Sequence, residues 1–174
     1  WWIDASFAVH PDMKSHTGIT MSFGKGSPFS SSISQKLNTK SSTESELVGV
    51  DDGMPLVIWT RNFLIEQGYD IKDNVVYQDN QSAILLERNG RASSRRRTRH
   101  VNIRYFFVTD RVKNGELRIE YCPTGDMWGD FFTKPLQGSN FKRQRAQIMN
   151  LPAELPLPIT TTGSQECVGA SSYA

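Results

Sequence analysis

Three carboxylates stand where chemistry could be built. Asp4 lies in the opening apolar stretch, Glu46 in the first turns of a segment that reads as a long helix, and Asp79 directly after a short apolar run. If these elements meet at one end of a sheet, the side chains would repel one another unless a cation sat between them. Hard oxygen ligands of this kind suit magnesium or manganese. Two such ions, roughly 3.5 to 4 Å apart, can polarise a phosphodiester, activate a water and stabilise the leaving oxygen. Acidic residues in strands and at helix starts also serve as ordinary surface or capping groups, and spacing alone leaves both readings open.

A second feature is cationic. Arg88, Arg91, Arg95, Arg96, Arg97, Arg99 and Arg104 follow one another with no acidic residue between them, although the net charge of the whole chain is only +2. Guanidinium groups suit bidentate contact with phosphate, so Arg95, Arg96, Arg97 and Arg99 are expected to grip a polyanion without sequence preference and to let go as salt rises. A solvated loop or a nuclear-localisation-like cluster is the plainer alternative. Asn80 and Gln81, next to Asp79, could reach sugar 2′-hydroxyls or base edges in a minor groove. His100 reads as a packing or phosphate-contacting residue, and His10 and His16 as surface residues. Cys122 and Cys167 make neither a disulfide framework nor a zinc site.

The elements that must position these groups follow from periodicity. Apolar Ile3 and Phe7 flank Asp4, a turn holds Pro11 and Asp12, and Ile19, Met21 and Phe23 then alternate with Thr20 and Ser22; after Gly24-Lys25-Gly26 a third strand spans 29–35. This predicts an antiparallel meander. Ser41 and Glu44 have capping-box spacing, and Leu47, Val50, Met54, Ile58, Leu64 and Ile65 supply the apolar face of a helix reaching Gly68, with a kink expected at Pro55. A strand over 74–77, a helix over 81–87, a loop over 90–97 and a helix carrying Val101, Tyr105, Val108 and Val112 come next. A strand over 117–121, a helical segment over 128–132 and a short basic helix over 141–149 complete residues 1–150, expected as one domain. Residues 151–174, rich in Pro, Thr, Ser and Gly, read as a disordered tail. Trp59 and Trp128 fit apolar stripes and are expected in the core. The order implies an α/β fold with a mixed sheet of about five strands, three antiparallel and then parallel ones, the first lying centrally and helices packed on the faces.

Five stretches carry a resemblance. Asp4-Ala5-Ser6-Phe7-Ala8, Ser41 to Leu47, Asp79-Asn80-Gln81-Ser82-Ala83, Arg97 to Arg104 and Gly129 to Leu136 occur in the order found in ribonuclease H domains of copia-type long-terminal-repeat retrotransposon Pol polyproteins, which the chain resembles over about residues 3–138. The resemblance implies a ribonuclease H-like fold and a tetrad of acidic residues binding two Mg2+ ions, with Mn2+ able to substitute. Carried over, the tetrad is Asp4, Glu46, Asp79 and Asp130. Asp4 would bridge both ions, Glu46 and Asp79 would complete one site, and Asp130 would help hold the other. Glu44, two residues from Glu46 and so facing elsewhere, takes the capping role. Asp126 shares a face with Asp130 but reads as a helix-start residue, since Gly129-Asp130-Phe131 carries the match.

The implied activity is endonucleolytic hydrolysis of the RNA strand of an RNA/DNA hybrid during reverse transcription. The implied partners are the hybrid, a reverse transcriptase and other parts of a Pol polyprotein. The loop over 122–126 has no His, so no proton shuttle is assigned there. The alternative is a non-catalytic module, a repurposed copy that binds nucleic acid or its polymerase partner without cutting. An abrupt start at Trp1-Trp2-Ile3 suggests a fragment and would favour that alternative if the first strand were too short to seat Asp4. No apolar run approaches the roughly 18 to 20 residues of a membrane span. With no secretory signal, the expected location is cytoplasmic, within virus-like particles when part of a polyprotein, with nuclear access open.

Overall fold

The computed structural model describes residues 1–89 and 99–152, and for 99–103 and 105 the backbone only. The loop expected over 90–97, with Arg95, Arg96 and Arg97, lies outside the described residues, as does the tail from 153 onward. Strands β1 (Trp2–Ser6), β2 (His16–Met21) and β3 (Phe29–Ser34) form the antiparallel meander, and β4 (Val75–Gln78) and β5 (Arg118–Tyr121) extend the sheet in parallel. The strand order is β3-β2-β1-β4-β5, so β1 lies at the centre. The α/β class, the five strands and their antiparallel-then-parallel arrangement are those expected from the sequence.

The first strand is well seated. All five of its residues pair with β2, from Trp2 opposite Thr20 to Ser6 opposite His16. On its other side Tyr77 N–H donates to the Trp1 carbonyl at 2.7 Å, and the Trp1 amino group donates to the Val75 carbonyl at 2.8 Å. Phe7 and Phe23 do not continue the strands. They lie just beyond the last paired residues and are exposed.

Helix α1 (Ser42–Glu66) starts at the predicted cap, where Glu44 N–H donates to Ser41 Oγ. The reciprocal bond of the capping box is displaced by one residue, because Glu44 Oε2 accepts from Lys40 N–H rather than from Ser41. Val50, Met54 and Val57 pack with Ile3, Ile19, Val76, Val108 and Ile119 into the main core. The helix continues through Pro55, which is exposed. At about 1.5 Å per residue a 25-residue helix spans roughly 37 Å, well beyond strands of 4 to 6 residues. Trp59 stands two residues past the buried Val57, about 200° further round the helix, and so faces away from the core. Trp59, expected in the core, is 61% exposed and stacks on Phe63 instead.

Helix α2 (Gln81–Asn89) and helix α3 (Arg99–Lys113) follow β4, joined where Thr109 Oγ1 donates to the Glu87 carbonyl. After β5 come two 3-10 segments, Thr124–Asp126 and Trp128–Phe132, then helix α4 (Gly138–Ile148). The second segment presses on the sheet at β1 and β2. A Cβ at Gly129 would meet Asp4 Cβ at 2.8 Å, and one at Gly18, the register partner of Asp4, would meet the Gly129 carbonyl at 2.5 Å. Two glycines thus let a backbone turn sit directly on the strand that carries Asp4. Trp128 holds the same turn by stacking on Trp2, with centroids 4.3 Å apart.

Candidate active site

Strand β1 delivers Asp4, the first turns of α1 deliver Glu46, and the chain just past β4 delivers Asp79. One carboxylate oxygen from each lies within 4.8 Å of the other two. Local bonds fix each carrier. Gln35, buried beside the start of α1, donates through Nε2 to both Thr17 Oγ1 and the Ser45 carbonyl, tying the residue before Glu46 to β2. Thr124 Oγ1 donates to Asp79 Oδ2 at 2.9 Å, and Thr133 Oγ1 donates to Asp4 Oδ2.

Asp130 reaches this group through a cation. Lys134 Nζ lies 2.6 Å from Asp130 Oδ1 and 3.6 Å from Asp4 Oδ1. Both carboxylates are buried, with Asp4 1% and Asp130 2% exposed. Burial pushes the Asp130 carboxyl up to about 6, against the Lys134 hydrogen bond that lowers it, while the neighbouring Asp4 adds to the rise. Glu46 is pushed well above the usual carboxylate range, first by burial, then by the negative charges of Asp4 and Asp79, with Lys134 opposing. Lys134 is itself raised: burial works against its charge, but Asp4, Asp130 and Asp79 outweigh it.

Glu46 Oε2 is buried and has no hydrogen-bond partner among the described residues. An acceptor left so beside two further carboxylates is the arrangement a hard divalent cation would satisfy, and the all-oxygen donor set fits Mg2+ or Mn2+ rather than a softer metal. Three of the four residues chosen from the sequence are thus brought into one cluster, and the fourth joins through Lys134.

The proposed substrate contacts fare unevenly. Asn80 Oδ1 accepts from the backbone N–H groups of Ser82 and Ala83, so its oxygen caps α2, a role the sequence reading missed. Gln81 is exposed beside Asp79. Arg99 opens α3, with its side chain outside the described set. The two ends of the arginine run are engaged internally. Arg88 donates through Nε to the Ile119 carbonyl, and Arg104 pairs with Asp51 at 2.7 Å and Asp52 at 3.0 Å. His10 and His16 are half-buried and bonded, His10 Nε2 to His16 Nδ1 at 3.0 Å and His16 Nε2 to Ser32 Oγ at 2.7 Å. Thr124 was not singled out from the sequence, and Thr133 and Lys134 entered only as part of the Gly129 to Leu136 motif with no role given, although Lys134 also stands four residues from Asp130.

The chain is 32% identical over 142 residues, 81% of its length, to the retrovirus-related Pol polyprotein from transposon TNT 1-94 of Nicotiana tabacum. It is 34% and 33% identical, over 68% and 71% of its length, to the corresponding polyproteins from transposons RE1 and RE2 of Arabidopsis thaliana. Its homologues are Pol polyproteins of plant copia-type transposons. The chain spans only 8 to 10% of the length of these polyproteins. No family model matches it. Among solved structures, RNase H1 from Halobacterium salinarum NRC-1 aligns with 70% of this chain and 83% of its own, at 12% identity and a TM-score of 0.42. Among the described residues no helix is long and apolar enough to cross a membrane.

Proposed function

We propose that this Pol-related chain is a ribonuclease H-like domain that hydrolyses the RNA strand of RNA/DNA hybrids with two divalent ions, Mg2+ or in its place Mn2+. The observation that carries the reading is the convergence of Asp4, Glu46 and Asp79, with the buried Glu46 Oε2 left without a partner among the described residues. Asp4, Glu46 and Asp79 would hold one ion, and Asp4 with Asp130 the other. When bound, the ions would polarise the phosphodiester and ready a water for attack on phosphorus, leaving a 3′ hydroxyl and a 5′ phosphate.

The chain's own residues prepare that event. The Thr133 and Thr124 hydroxyls each donate to one oxygen of Asp4 and Asp79 and so help fix the two carboxylates. Gln81 stands where a 2′-hydroxyl could be read, and Arg95, Arg96, Arg97 and Arg99 would grip the hybrid through its phosphates. Reverse transcriptase and other Pol segments would be its working partners, and a cytoplasmic virus-like particle its working place.

The test is cleavage of a labelled hybrid by the purified chain in Mg2+ and Mn2+. RNA-strand cutting that Asp79→Asn abolishes is expected. A folded chain that binds the hybrid and leaves it intact under both ions would overturn the enzymatic reading and favour a non-catalytic module.

A further inference from the structure

Building on the two-ion reading, we infer that Lys134 is a resident cation: in the metal-free protein its ammonium group occupies the place of the second ion, between Asp4 and Asp130, and must withdraw before that ion can bind.

Lys134 divides the tetrad unequally. Its Nζ contacts Asp130 Oδ1 at 2.6 Å and Asp4 Oδ1 at 3.6 Å, and among the described residues it makes no ion pair with Glu46 or Asp79. The pair Asp4–Asp130 therefore carries a neutralising charge already, whereas the trio Asp4–Glu46–Asp79 is left with an unpartnered buried oxygen. Two buried carboxylates that face one another need a positive charge between them, and the unoccupied alternative is mutual repulsion in a poorly solvated place. An ammonium ion on a flexible stem supplies it without any ligand.

The same lysine is built to leave. Its side chain remains 39% exposed while its two partners are almost wholly buried, so the head group can swing to water on its own four-carbon stem. Asp4 would stay fixed meanwhile, since the Thr133 hydroxyl holds its other oxygen and the Gly129 backbone packs against its Cβ. The consequence is an order of binding. The first ion enters the trio, which Lys134 does not fill. The second competes with Lys134 and binds more weakly.

The experiment is calorimetric titration of the full chain with Mn2+ alone, alongside Lys134→Gln, Lys134→Met and the charge-retaining Lys134→Arg, with the thermal midpoint of each measured in chelator. Wild type and Lys134→Arg should show one tighter and one weaker ion. In Lys134→Gln the second ion should bind about tenfold tighter or more, as expected when a competing charge a few ångströms away is removed, with the first ion changed far less. The metal-free midpoint should fall in Lys134→Gln and not in Lys134→Arg. Lys134→Met should follow Lys134→Gln. A second ion bound no tighter in the two neutral variants, or lost from them, would overturn the inference while the first ion still bound. Wild-type protein that takes up no Mn2+ would instead sink the two-ion reading, and this inference with it.

Discussion

Gly129→Ala should damage the site without touching any ionisable group. The added methyl would stand 2.8 Å from Asp4 Cβ and 2.9 Å from the Asp4 backbone nitrogen, where unstrained carbon contacts need about 3.5 to 4.0 Å. The obstacles are a backbone atom and a Cβ of the central strand, which cannot rotate away. The 3-10 segment must therefore lift by roughly 0.7 to 1 Å, carrying Asp130 and Lys134 with it. Overpacking of this kind costs about 1–3 kcal/mol. A misplacement near 1 Å of a group that positions reactants can cost on the order of 100-fold in rate. Gly125→Ala is the matched control, since a Cβ there meets only the flexible end of Arg143 at 3.5 Å. The assay pairs denaturant unfolding with hybrid cleavage. Gly129→Ala should lose stability by that amount and rate by about two orders of magnitude, and Gly125→Ala neither. Wild-type stability and rate in Gly129→Ala would refute the argument that this close approach sets the position of Asp130.

Other consequences concern charge. Because burial raises the Asp130 carboxyl to about 6 in the folded state, its contribution to metal-free stability is present below about 4 and is lost as pH rises through about 6, and the raised Glu46 carboxyl acts in the same direction. The midpoint–pH profile of Asp130→Asn in chelator should be flatter over that range, and an unchanged slope would contradict the assignment. Glu87 is wholly buried, with neither oxygen partnered among the described residues, and burial pushes it up to about 8, against a lowering pull from Arg88. Glu87→Gln should therefore gain on wild type as pH rises from 6 to 9, a difference that thermal melts at the two pH values would reveal or exclude. Arg104→Ala should destabilise the α1–α3 contact by on the order of 1 kcal/mol yet leave the salt dependence of hybrid binding unaltered, because its guanidinium is committed to Asp51 and Asp52. Each of Arg95, Arg96 and Arg97 that neutralises a phosphate should instead reduce the salt slope by about 0.9 when replaced by alanine.

What could be read from the sequence follows how far each signal reaches along the chain. The alternation through Ile19 and Met21, the Ser41 cap and the i, i+3, i+4 run from Leu47 to Met54 are local patterns, and each became the element it predicted. Trp59 reads as part of that apolar stripe, but it stands two residues past the buried Val57, about 200° further round the helix, and so it faces outward beside Phe63. Arg88 and Arg104 looked like part of one cationic surface because their partners, Ile119 and Asp51, are 31 and 53 residues away. The acidic tetrad was legible only through resemblance to ribonuclease H motifs. Its supporting contacts were hidden for the same reason as the arginines' partners: Thr133 to Asp4 spans 129 residues, and Thr124 to Asp79 spans 45. Asn80 also caps α2 through its Oδ1, a role its place at a helix start could have signalled, and its Nδ2 is left for the substrate contact expected from the sequence.

Anomalous diffraction from crystals of the chain grown with Mn2+ and an RNA/DNA hybrid would locate the divalent ions directly. Two peaks are predicted, roughly 3.5 to 4 Å apart, one among Asp4, Glu46 and Asp79 and the other between Asp4 and Asp130 with the Lys134 ammonium moved away. Peaks elsewhere, or a hybrid bound with no ion at these carboxylates, would contradict the two-ion reading.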